Sequence, residues 1–95
     1  MVVLSPLYSL HVSKHARERM EERRVSLDEV IEALEDPVQI VYDGKNDVYL
    51  ALGSNEIAVV YAVRGRVVEI VTILRRQEYE ALVGRLLGRR YKVVY

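Results

Sequence analysis

Apolar positions change their spacing several times along the chain, and each change marks an element. Leu7 to Val12 alternates, with Leu10 and Val12 on one side and Ser9 and His11 on the other, which predicts a first strand. Ser13 is a good N-cap for a helix that ends near Arg24. Ala16 and Met20 are the only apolar edge of that helix. His15, Arg19 and Arg23 fall four apart and span about 80° of its surface at roughly 100° per residue. The helix thus has a weak core stripe and a strong basic one. Ser26 and Glu29 have capping-box spacing and open a second helix. Leu27, Val30, Ile31 and Leu34 give it an apolar face, and Pro37 stops it.

Four strand-like runs follow. Val38–Asp43 leads through the turn Gly44-Lys45-Asn46 into Asp47–Leu52, and Gly53-Ser54-Asn55 turns again into Ile57–Val63. Arg64-Gly65 marks a hairpin into Val67–Leu74. The last two runs are apolar on both faces, which places them inside an antiparallel meander. In Val67–Leu74 the alternation sets Val67, Val71 and Ile73 against Val68, Ile70, Thr72 and Leu74. Arg75 or Arg76 begins a third helix, in which Tyr79, Leu82, Val83, Leu86 and Leu87 repeat at helical spacing and Gly88 stands as the residue after its end. The tail Arg89–Tyr95 has strand character and suits a sheet edge, in its own chain or a partner's. The expectation is one α+β domain over residues 1–95, in two layers. Its antiparallel sheet has four to six strands, two helices precede the meander, and one follows it.

Composition narrows the chemistry. The chain has 95 residues and no cysteine, Trp or Phe, so disulfides and thiolate catalysis are excluded. No apolar run is long enough to span a bilayer, and Met1–Pro6 lacks a basic leader region, so a soluble cytoplasmic protein is expected, with no membrane partner. Abundant charge and few thermolabile side chains fit a thermophilic source. Only His11 and His15 offer nitrogen ligands, and no metal-binding spacing or phosphate-binding loop occurs, so neither metal nor cofactor is expected. The net charge is zero but segregated. Seven carboxylates oppose Lys45 between Ser26 and Asp47, whereas seven arginines and Lys92 oppose four glutamates between Val48 and Tyr95. The basic part suits a polyanion, although a solvated mixed surface has the same composition.

What remains is the row His15, Arg19, Arg23. Metal-independent RNA cleavage needs a group to take the 2′-hydroxyl proton and fixed positive charge against the transition state. Histidine titrates in the right range, and arginine stays charged and forks onto phosphate oxygens. Lys14, Arg75 and Arg76 would extend the basic surface if the fold brings them near. In the competing reading Arg19 and Arg23 pair with glutamates and His15 hydrogen-bonds a nearby carbonyl, so that the three form a structural polar network in a non-catalytic interaction module. Its dimer contact would be Arg89, Tyr91, Val93 and Tyr95 on the tail.

Ser13-Lys14-His15-Ala16, then Arg19-Met20, Arg23, Val25-Ser26, Val30, Leu34 and Pro37, resembles the domain-of-unknown-function 4258 family over about residues 10–74. The resemblance implies a small fold similar to the RelE and BrnT toxin group, whose members are metal-independent ribonucleases held by an antitoxin protein. It implies His15, Arg19 and Arg23 as site residues and RNA as the ligand. The chain departs from the pattern after the meander, where Thr72-Ile73-Leu74-Arg75-Arg76 replaces a tyrosine–proline stretch and residues 75–95 add a helix and tail.

Overall fold

The computed structural model describes residues 8–95. The expected strand start at Leu7 and the reading of the first six residues lie outside that range. The fold is α+β, with three helices and one six-stranded mixed sheet. The elements run β1 (Ser9–Val12), α1 (Lys14–Arg23), α2 (Leu27–Glu35), β2 (Pro37–Asp43), β3 (Val48–Gly53), β4 (Ile57–Arg64), β5 (Val67–Arg75), α3 (Arg76–Gly84) and β6 (Tyr91–Val93). Their order across the sheet is β1-β5-β4-β3-β2-β6.

The meander β2–β5 is antiparallel as expected, but the sheet as a whole is not. β1 pairs with β5 in parallel, from Ser9 opposite Val67 to Val12 opposite Ile70. Adjacent strands joined by tight turns must run antiparallel. β1 and β5 are joined through everything between them, so no local turn fixes their direction. The β4–β5 hairpin closes with Gly65 at φ 61°, the first loop position, where a type II′ turn requires a positive φ.

The sheet is covered on both faces, as strands apolar on both sides require, so the layers number three rather than the expected two. α1 and α2 bring Ala16, Val25, Val30, Ala33 and Leu34 onto Ile40, Ala51, Val59, Tyr61 and Ile70. On the other face α3 brings Tyr79 and Val83 onto Val41, Leu50, Leu52, Ala58 and Val60, with Tyr91 from β6. This is why Ile57 to Ala62 is buried without alternation. The register between β4 and β5 shifts at Val60/Tyr61, where Tyr61 faces Ile70 and Val60 faces Thr72. The extra residue, Val71, reverses the phase, so Ile73 joins Val68 and Ile70 beneath α1 and α2.

α2 lies close to the end of β3. A Cβ on Gly53 would come within 2.7 Å of Ala33 Cα, so only glycine allows this approach. α3 stops at Gly84, short of the expected Leu87. Leu82 and Leu87 are exposed, and Gly88 (φ 85°) shapes the turn into β6 instead of ending the helix. β6 adds to its own chain, pairing with β2. Tyr91, one of the residues expected at a dimer contact, is 1 % exposed in the core, whereas Arg89, Val93 and Tyr95 remain on the surface. Asp43 fastens this edge. Its carboxylate accepts a two-bond fork from Arg90 (2.9 and 2.8 Å) and the backbone N–H of Lys45 (2.9 Å). The guanidinium and these bonds hold it at about pKa 2 despite burial. Among the described residues no helix is long and apolar enough to cross a membrane.

Candidate functional site

α1 is placed by its first and last residues rather than by a broad apolar stripe. Ser13 caps it, its Oγ accepting the Ala16 N–H at 3.0 Å. The same residue ties the helix to β5. Its N–H donates to Ile70 O at 3.1 Å, and its hydroxyl donates to Val71 O at 3.1 Å. At the other end the N–H of Val25 donates to Met20 O and that of Arg24 to Glu21 O, the paired bonds of a Schellman motif. Arg24 holds the left-handed position there, with φ 54° and ψ 46°.

The expected row converges in part. His15 Nε2 accepts a long hydrogen bond from Arg19 Nε, 3.4 Å, on the open face of α1. Arg19 also lies 3.6 Å from Glu22. Arg23 turns the other way. Its guanidinium forks onto Glu78 at 2.9 and 2.6 Å, joining α1 to the first turn of α3. Glu78 also accepts the backbone N–H of Arg75 at 3.1 Å, and the Arg75 guanidinium donates to Arg23 O at 2.6 Å. Arg75 therefore joins the cluster. The Arg23 bond, above all, holds the Glu78 carboxyl down at about pKa 2, and the Arg23 guanidinium is correspondingly raised.

Arg76 does not join. It is bound to Glu80 at 2.7 Å and to Glu56 at 3.2 Å. Lys14 is exposed at the start of α1 and makes no side-chain hydrogen bond or ion pair among the described residues. His11 sits on β1 opposite Glu69. Among the described residues no three His, Cys, Asp or Glu side chains gather as a metal site would require.

Sequence reasoning missed Glu78. Its signal is faint but local: a glutamate three residues after Arg75, at a strand-to-helix junction, has the spacing of the reaching-back member of a capping box. The arrangement thus separates two chemistries along one row. His15 and Arg19 form an accessible imidazole–guanidinium pair. Arg23, Glu78 and Arg75 form a bonded network behind it. The pair can move a proton and hold an anion, and the network fixes where α1 stands.

Neither a curated protein nor a solved structure matches the chain. A family model described as a domain of unknown function, DUF4258, matches residues 12–75, from the last residue of β1 to the last residue of β5. Those residues carry His15, Arg19, Arg23 and the Ser13 anchors, whereas Glu78 and β6 lie beyond them. By that match over most of its length, the chain belongs to the DUF4258 family.

Proposed function

We propose that the chain binds single-stranded RNA and cleaves it without a metal, as its resemblance to RelE- and BrnT-type toxins implies. The observation that supports this reading is the exposed His15–Arg19 pair. The contact between them is long for an N–H···N bond, and weak. A phosphate arriving at Arg19 offers a stronger, charge-assisted partner. Arg19 then turns to the phosphate and frees His15 Nε2. That nitrogen takes the proton of the 2′-hydroxyl, the 2′-oxygen forms a bond to phosphorus, and the 5′-oxygen leaves with a proton from water. Charge on the phosphorane is met by the Arg19 guanidinium. Arg23, forked onto Glu78, and Arg75, whose guanidinium donates to Arg23 O and whose backbone N–H donates to Glu78, position the helix and do not touch substrate.

The test is a gel assay on a mixed single-stranded RNA with EDTA present. His15→Ala and Arg19→Ala should each lower cleavage by about two orders of magnitude or more and leave the melting temperature unchanged. Equal cleavage by the parent and both variants, or none by a folded parent, overturns the assignment.

A second reading is a non-catalytic interaction module, and the Arg23–Glu78 fork favours it, because that part of the row is structural. It expects His15→Ala to lower the melting temperature and the parent to bind no RNA.

A further inference from the structure

On the side of α1 away from the His15–Arg19 pair lies a groove of about 730 Å³, bounded by β1, α1 and the start of α2. Leu10, Val12, Met20 and Val25 line it, and Leu27 stands at its margin, 45 % exposed. Arg17 and Arg24 are exposed beside it, with Glu21 as its one carboxylate. The ion-paired arginines among the described residues are Arg19, Arg23, Arg76 and Arg90, all elsewhere. Arg17 and Arg24 thus bring two guanidiniums that no carboxylate of the described chain engages. Arg24, which lines the groove, holds the left-handed backbone position that closes α1.

We infer that this groove docks a short peptide segment of another protein, one carrying aliphatic side chains beside carboxylates. The lining decides against nucleic acid. It is aliphatic and thioether, with His11 its only ring, whereas single strands are held on stacked aromatic rings. Aliphatic side chains gain most from such a lining, and a methionine wall adapts to their shapes. The volume falls in the usual range for a ligand site, roughly 300–1,000 Å³. The unengaged guanidiniums select carboxylates in the same segment, through charge-assisted forks. This inference does not rest on RNA cleavage: Arg17 stands about 200° around α1 from His15.

The test pans a displayed library of random short peptides on the full chain, then measures the selected peptide, made synthetically, by fluorescence anisotropy. The expected consensus combines a carboxylate with aliphatic residues. Arg17→Glu combined with Arg24→Glu should weaken binding about tenfold or more, and more steeply at low salt. Leu27→Asp should weaken it similarly while keeping the fold, since an acidic residue suits the first turn of a helix. His15→Ala should bind as the parent does. No enrichment, a basic consensus, or undiminished affinity in the groove variants overturns the inference. So does displacement of the peptide by single-stranded RNA. A dimer seen by light scattering and split by Leu27→Asp also overturns it, giving the groove to a second copy. Binding gained only when Val2→Asp and Leu4→Asp are introduced gives it to the chain's own first residues.

Discussion

Within the row on α1, side chains of one type have different tasks. Arg19 keeps a single weak partner of its own row, while Arg23, one turn on, is locked by a fork. Arg23→Ala should therefore cost about 1–2 kcal/mol in urea unfolding, modest because Glu78 is open to water. The expected signature is a lower midpoint, with the proposed RNA cleavage per folded molecule retained. Arg24 offers the opposite test. A non-glycine residue in the left-handed region is strained by roughly 1–2 kcal/mol, so Arg24→Gly should raise stability by about 1 kcal/mol. Thermal melting against the parent checks it.

At the scale of elements, what could be read in the sequence divides by range. The Ser26–Glu29 capping box and the Ser13 cap were legible because each involves residues three apart. The bond from Ser13 to Val71 was not, since it spans 58 positions and depends on β1 lying beside β5. The parallel direction of β1 was hidden for the same reason. In β5 the alternation misled beyond Ile70, because a bulge has no distinctive residue here: Val71 looks like any strand valine. In α3 the apolar spacing continued through Leu86 and Leu87, but Gly84 is a poor helix residue and the chain must turn back to seat Tyr91 against β2. The His15–Arg19 pair was visible as i, i+4 spacing, whereas the fate of Arg23 depended on Glu78, 55 positions away on another helix. Gly53 read as a turn residue and proved to be a contact. Gly53→Ala should destabilise by about 1–3 kcal/mol, measured by urea unfolding, because Ala33 backbone cannot yield as a side-chain tip would.

For the whole molecule, acid is the informative variable. Asp43 and Glu78 are both held at about pKa 2 in the folded chain, below their usual 3.8 and 4.5. A depressed carboxylate contributes stability that is fully present above its unfolded pKa and lost as pH falls through the folded one. Stability should thus be flat above about pH 5 and fall steadily toward about pH 2, followed by thermal melting across that range. The buried Asp43 accounts for about 2 kcal/mol of the fall, and Asp43→Asn should flatten the curve while lowering stability at pH 7. Hydrogen exchange of the Tyr91–Val93 amides should rise in that variant before exchange elsewhere, because Arg90 anchors β6 to the β2–β3 turn.

The parallel pairing of β1 with β5 also bears on how the chain is made. Synthesis delivers α1 early, yet all of its hydrogen bonds to the sheet reach β5: Ser13 donates to the carbonyls of Ile70 and Val71, and Arg75 donates to Arg23 O. A helix of ten residues is marginal by itself in water. Until the ribosome has released the fourth strand of the meander, α1 has no wall to stand against. His15 and Arg19 then belong to a fluctuating segment rather than a fixed pair. The folded arrangement of that pair is therefore withheld from any partial chain that ends before β5.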